Sequence, residues 1–195
     1  MLENILEHYH VILASGSPRR QQFFKELGIP FEVRLKPIDE IYPPNLKAHE
    51  ISDYLALLKA NAFKAELKDK DILITSDTVV WHKGHSLAKP MNSEEAHRML
   101  RTLSNDWHAV ITSVCFSTST MQKVVHQSTR VKFKALSDEE IRFYIDTYSP
   151  YDKAGGYGIQ DWIGLIGIEE IQGTYSNVVG LPTNLVYKTL IAMVS

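Results

Sequence analysis

One cysteine, Cys115, stands alone in 195 residues. A single thiol closes no internal disulfide, and no cysteine cluster has zinc-site spacing, so the chain is expected to fold in a reducing compartment. Long apolar runs are missing as well. None approaches the ~20 residues that a membrane-spanning helix needs. The opening residues Met1-Leu2-Glu3-Asn4 lack the basic stretch and apolar run of a secretory signal. The expectation is a cytoplasmic protein with no membrane partner. Nor is there an excess of charge of one sign: 21 basic and 23 acidic residues leave a net charge of −2. That balance gives no general affinity for polyanions and argues against a nucleic-acid partner, while a small phosphorylated ligand needs only a local cluster of cations. There is no internal repeat, no low-complexity tract and no linker. The GxxxxGK[ST] phosphate loop is absent. No Ser/His/Asp triad can be argued from the order of residues.

What is present is an alternation of strand-like and helix-like segments. Val11-Ile12-Leu13-Ala14 reads as a buried strand ending in the turn Ser15-Gly16-Ser17-Pro18. A helix is expected from Arg19 to Leu27, with Ser17 as N-cap, Pro18 at its first position and Gly28 closing it. Phe31-Glu32-Val33 suggests a second strand, and the stretch from Ile38 to Asn45, with Pro43-Pro44, a loop. Apolar spacing predicts a helix over Ile51 to Leu67. Asp71 to Asp77 reads as a strand delivering an aspartate at its end, and Val79-Val80-Trp81 with Ser86-Leu87-Ala88 as a hairpin turning at Lys83-Gly84. Helices are expected over Ser93 to Leu103, capped by Asn92 or Ser93, and over Ile141 to Thr147 behind the capping box Ser137-Asp138-Glu139-Glu140. His108 to Ser117 and Val124 to Phe133 read as long strands, Ile163 to Ile168 as a strand, and Asn184 to Val194 as a closing helix. The pattern predicts an α/β protein with a mixed sheet.

Three segments carry chemistry. Ser15-Gly16-Ser17-Pro18-Arg19-Arg20 joins a turn, a helix N-terminus, two hydroxyls and two guanidiniums, which suits phosphate oxygens; the bland reading is a capped helix with solvated arginines. Asp77 is placed to hold a divalent ion or activate water, or to form a turn. Glu40 offers a second metal-side carboxylate, and Lys59 and Lys89 offer cations for a phosphate or for solvent. The glycine-rich run Asp152 to Gln160 lets backbone approach a ligand closely, and the Gln160 amide both donates and accepts, as reading a base edge requires. Tyr157 packs near a base or in the core, the core being preferred. His82-Lys83-Gly84-His85 has metal-like spacing without a third ligand and reads as a solvated turn. Gly173-Thr174-Tyr175-Ser176-Asn177 reads as a polar turn before Val178-Val179-Gly180-Leu181-Pro182.

Taken together, these segments resemble the Maf family, also called septum-formation inhibitor proteins, of the ITPase-like fold. The anchors are Leu13-Ala14-Ser15-Gly16-Ser17-Pro18-Arg19-Arg20, Leu27-Gly28-Ile29-Pro30-Phe31-Glu32, Ser76-Asp77-Thr78-Val79-Val80, Lys89-Pro90, Asp152-Lys153-Ala154-Gly155 with Tyr157-Gly158-Ile159-Gln160, and Tyr175-Ser176-Asn177-Val178-Val179-Gly180-Leu181-Pro182. Any one is weak; six in order are specific. The resemblance implies a single Maf-like domain over residues 1–195, with a twisted mixed β-sheet flanked by helices and two lobes enclosing a nucleotide-binding cleft. It implies cleavage of a nucleoside triphosphate between its α and β phosphates with a divalent cation, Mg or Mn. It implies Asp77 as general base and metal ligand with Glu40 supporting the metal, Ser15, Arg20, Lys59 and Lys89 as phosphate-side groups, and Arg19, Thr78 and Gln160 as residues typical of the dTTP/UTP group. A homodimer is expected by family analogy alone. Two residues depart from the pattern: Gly156 stands where alanine is usual, and Ala88 where glycine is usual. The competing readings are a 7-methyl-GTP or broad nucleotide pyrophosphatase, a non-catalytic nucleotide-binding regulator of cell division, and a nucleic-acid-binding module, the last disfavoured by net charge.

Overall fold

The computed structural model describes residues 2–194. Its strands are β1 (His10–Leu13), β2 (Glu32–Val33), β3 (Asp71–His82), β4 (His85–Leu87), β5 (Trp107–Ser117), β6 (Gln122–Phe133) and β7 (Ile168–Gln172). They form a mixed sheet in the order β2-β1-β3-β5-β6-β7, with β4 also on β3. β2, β1 and β3 are parallel, and the other pairings antiparallel. The helices are α1 (Leu2–Ile5), α2 (Pro18–Glu26), α3 (His49–Asn61), α4 (Ser93–Leu103), α5 (Asp138–Tyr148), α6 (Trp162–Gly167), α7 (Tyr175–Val179) and α8 (Thr183–Val194). The expected mixed α/β sheet flanked by helices is what forms. Among the described residues, no helix is long and apolar enough to cross a membrane.

Both faces of the sheet are covered, and the alternation of side chains along each strand divides them. Val11, Leu13, Ile72, Ile74, Val114 and Phe116 pack with Phe24 of α2 and with Val186 and Leu190 of α8. The residues between them, Ile12, Leu73 and Cys115, face Ala56 and Ala60 of α3 and Phe63 just beyond it. At the far end, Phe133 packs with Leu100 and Leu103 of α4, Ile141 and Tyr144 of α5, and Ile163 of α6.

Local signals placed the helix ends well. Asn92 Oδ1 accepts from the Glu95 N–H at 2.9 Å, and Ser137 forms a complete capping box with Glu140. Several expectations change. α3 stops at Asn61 rather than Leu67, because the chain tightens there and turns Phe63 inward to 3% exposure. β3 does not end at Asp77; it runs on to His82, paired with β5 from Leu73 to Trp81, so Asp77 sits in mid-strand. The run Trp162–Gly167 is helical and the strand follows it, an ambiguity inherent in a short apolar run with two glycines. His82 is 3% exposed rather than solvated, held 3.0 Å from Asp106 Oδ2, whereas its neighbours Lys83 (φ 47°) and Gly84 (φ 87°) make the expected turn.

A second buried histidine is expected to make the fold sensitive to acid. His108 Nε2 lies 2.6 Å from the hydroxyl of Tyr157, and its ring stacks on Phe133. Tyr157 is therefore a core residue, 5% exposed. Burial first, and then nearby His82, hold the His108 pKa down to about 3, so it is neutral in the native state. The unfolded chain binds this proton below about pH 6.5 and the native state does not. Stability is therefore full above that pH and is expected to fall by about 2 kcal/mol between pH 6.5 and pH 5. Thermal unfolding across this range checks it: His108→Gln, which keeps a polar partner for Tyr157 but cannot charge, flattens the dependence if His108 is its source.

Candidate active site

The topology leaves an opening along one edge of β3. β1 covers Asp71 to Ile74 on that edge, and β4 covers Val80 to His82. β5 occupies the opposite edge, and no described strand pairs with the five residues 75–79 on the open side. A cleft of about 780 Å³ lies there, at the carboxyl end of parallel β1, where open α/β sheets characteristically receive ligands. Ser15, Arg19, Arg20, Glu40, Lys59, Asp77, Thr78, Lys89 and Gln160 all line it. Six cationic and three acidic side chains line this cleft, a positive surplus in a chain whose net charge is −2. Such segregation concentrates anions at one place on a chain whose remaining residues are net acidic.

Strand alternation turns Asp77 toward α3. There Lys59 Nζ meets Asp77 Oδ1 at 2.7 Å and Glu40 Oε1 at 2.9 Å. Asp77 is nearly enclosed, its side chain 10% exposed, while Glu40 is open at 46%. Burial pushes the Asp77 carboxyl above the ordinary aspartate range, against the opposing pull of Lys59 and Arg20. Burial also raises Glu40, but Lys59, Lys89 and Arg20 outweigh it and hold that carboxyl below its usual range. The two carboxylates thus meet at one cation with unequal basicity. Their oxygens are the hard donors that Mg²⁺ or Mn²⁺ takes, and they converge, so this pair fits a divalent ion.

On the other side of β3, Arg20 is tied into the protein. Nε donates to Gly180 O at 2.8 Å, Nη1 to Ser76 O at 3.1 Å, and Nη2 to Thr78 Oγ1 at 3.0 Å, while Ser15 Oγ lies 3.4 Å from Nη1. Burial lowers its pKa, with Asp77 opposing that shift, but a guanidinium keeps its charge at neutral pH. Thr78 is equally committed. It accepts from Arg20 and lies 3.0 Å from Thr112, whose own proton goes to Asn177 O at 2.9 Å. Asn177, fully buried, donates in turn to Val110 O and Thr129 Oγ1. The polar turn expected near residue 177 is thus helix α7, anchored by a buried network that spans β3, β5 and β6.

The α2 N-terminus and the glycine-rich segment close the remaining walls. Ser17 caps α2, with its Oγ 3.5 Å from the Arg20 N–H, and Pro18 occupies the first turn. Arg19 reaches across to Asp152 at 3.2 Å. Gly155 and Gly156 both adopt left-handed backbone, with φ of 72° and 71°. Glycine at 156 therefore suits its conformation better than alanine, although a Cβ there would find room 3.5 Å from Pro90. Gln160 is exposed in the cleft and spends one N–H on Asp161 Oδ1 at 3.2 Å, keeping a carbonyl and a second N–H for a ligand. Lys89 lines the cleft near enough to depress Glu40. Two further lysines were given no role by the sequence. Lys153, 13% exposed and 2.8 Å from Asp152, was signalled only by its place in the Asp152-Lys153-Ala154-Gly155 run. Lys36 also lines the cleft but is engaged by Glu66 and by Ala62 O.

A mixed α/β sheet that opens at its parallel end onto a cationic cleft with a buried carboxylate places this chain among α/β proteins with a cleft suited to a phosphorylated ligand. The family described as Maf-like protein matches residues 10–193, and the chain belongs to the Maf family. It is 57% identical over 194 residues to a protein of Flavobacterium johnsoniae and 51% identical over 195 residues to one of Christiangramia forsetii, covering 100% of both chains in each case. A protein of Flavobacterium psychrophilum is 55% identical over 98% of each chain. All three relatives are named dTTP/UTP pyrophosphatase.

Proposed function

We infer that this protein is a nucleoside triphosphate pyrophosphatase that hydrolyses dTTP and UTP to the monophosphate and pyrophosphate. The observation that carries the reading is the Asp77–Lys59–Glu40 constellation, a buried carboxylate of raised basicity inside a cleft with surplus positive charge. Full-length identity of 51–57% to relatives named for this activity supports it. In the reaction, water adds to phosphorus as the α–β bridging P–O bond breaks. The electron pair leaves with pyrophosphate, and the proton of water passes to Asp77. Burial favours this transfer by making Asp77 a stronger base. Lys89, Lys59 and the α2 N-terminus hold the phosphate oxygens, and Arg20 contributes its fixed charge. A divalent cation bound by Asp77 and Glu40 would neutralise phosphate charge. The lone, buried Cys115 agrees with a cytoplasmic protein.

Gln160 reads the base in this proposal. Uracil and thymine present one N–H donor between two carbonyl acceptors, and a primary amide matches part of that edge. Pyrophosphate release from dTTP, UTP, CTP, GTP, 7-methyl-GTP and ITP, with Mg²⁺ or Mn²⁺, tests both claims. Cleavage selective for dTTP and UTP is expected, and Gln160→Ala is expected to reduce the preference for UTP over GTP by about 10-fold or more, the scale of one lost specific hydrogen bond. Purine preference in the wild type would overturn the specificity. An absence of cleavage throughout would overturn the enzymatic reading.

A further inference from the structure

Outside the cleft, three side chains converge on the other face of α3. His49 and Asp53 are one helical turn apart and share a face. Ile51, Leu55 and Lys59, offset by two residues, point to the cleft side. His126 of β6 meets the pair from the sheet face that α3 covers. The ligand-type atoms of His49, Asp53 and His126 all lie within 4.8 Å of one another, and the two imidazoles are 4.5 Å apart between ring centres. We propose that His49, Asp53 and His126 form a second metal site, for a divalent transition ion with zinc as the leading candidate.

The chemistry separates this site from the cleft. Two imidazoles and one carboxylate are a borderline-soft set that suits Zn²⁺, Co²⁺ or Ni²⁺, whereas Asp77 and Glu40 offer only hard oxygen. Zinc with three protein ligands completes its shell with water, and this trio is partly open to solvent, with His126 at 41% and Asp53 at 29% side-chain exposure. Tetrahedral bonding needs ligand atoms about 3.3–3.6 Å apart, so closure asks for about 1 Å of movement by side chains free to rotate at the surface. The support behind the ligands is already in place. Ser113 is fully buried, lies opposite His126 in the β5–β6 register, and has its Oγ 2.7 Å from Asp53 Oδ1. Buried Ser52 donates to the carbonyl of His49 at 3.1 Å. Such outer contacts orient metal ligands and tune their affinity. His126 Nδ1, now 3.2 Å from both Asp53 oxygens, exchanges that contact for the ion. An ion here ties the first turn of α3 to β6, behind the helix that presents Lys59 to the cleft.

Chelator-stripped full-length protein is titrated with ZnCl₂ by calorimetry, with Mg²⁺ in excess to occupy the oxygen-donor pair, and its melting temperature is followed in parallel. One equivalent of zinc and a zinc-dependent rise in melting temperature are expected. His49→Ala with His126→Ala is expected to weaken binding by at least about 100-fold, and Ser113→Ala by about 10- to 100-fold as an outer-shell loss. Both histidines are exposed and their contacts to Asp53 and to each other lie at the surface, so the metal-free melting temperature of the double variant is expected within about 4 °C of the wild-type value. Absence of zinc binding in the wild type, or equal binding in wild type and double variant, overturns the proposal.

Discussion

Asp77→Asn is expected to slow pyrophosphate release from dTTP by about 10²- to 10⁴-fold, the usual cost of losing a general base, while the protein stays folded. The substitution is nearly isosteric, and its amide oxygen still accepts from Lys59, which sits 2.7 Å from the carboxylate in the native protein. What it removes is the negative charge and, in the proposed reaction, the site that takes the proton. Because burial raises the basicity of Asp77, the wild-type rate should rise with pH as this carboxyl ionises, and the Asp77→Asn variant cannot follow that rise. Glu40→Gln makes the comparison informative. Glu40 shares Lys59 but is far more exposed and held below its normal range, so it is a poor base, and its loss is expected to appear mainly in the metal requirement. Near wild-type turnover in Asp77→Asn would remove Asp77 from the chemistry altogether.

The second large effect is expected at Arg20, in both stability and rate. Its guanidinium bridges Gly180 O, Ser76 O and Thr78 Oγ1 from a half-buried position, which joins α2, β3 and the end of α7. Arg20→Lys leaves a single nitrogen that cannot span these acceptors, so buried carbonyls lose a charged donor. Hydrogen bonds to charged groups contribute about 1.5–3 kcal/mol each. A total loss of about 2–4 kcal/mol corresponds to a fall of about 5–15 °C in melting temperature for a domain of this size. The catalytic efficiency is expected to fall by about 10² or more, because the same group holds the cleft wall and supplies its charge. Unchanged melting with reduced activity would show that Arg20 acts on the substrate alone. Unchanged activity with reduced melting would confine it to the network.

Much of the architecture is written locally. Asn92 and the Ser137–Glu140 box specify where α4 and α5 begin, and Ser17-Pro18 where α2 begins, because a cap needs only residues within one turn. Lys83-Gly84 specifies the hairpin for the same reason. The candidate site was legible as chemistry: Ser15, Arg19, Arg20, Glu40, Lys59, Asp77, Thr78, Lys89 and Gln160 all line one cleft. Other parts had no local signal. Trp162–Gly167 carries no period that distinguishes helix from strand, and the packing of Gly164 against Ile159, whose carbonyl oxygen would lie 1.8 Å from an added Cβ, is a tertiary fact. The burial of His82 depends on Asp106, 24 residues away, and the His49–Asp53–His126 trio on a separation of 73.

By itself, then, the sequence determined which groups the protein owns and in which elements they sit: the strand–turn–helix that brings Ser15 to Arg20 together, the acidic and basic residues for a polyphosphate, and the mixed α/β class. Only the tertiary structure decided which of those groups remain free to act. Arg20 and Thr78 look equally available to a substrate in the linear chain, yet the fold commits most of their hydrogen-bonding capacity to Gly180, Ser76 and Thr112. Lys59, 18 residues from Asp77, becomes the cation that joins two carboxylates. The reason is physical: a donor can be spent once, and its partner is chosen by strand register and helix packing, which bring together residues that sequence order keeps apart.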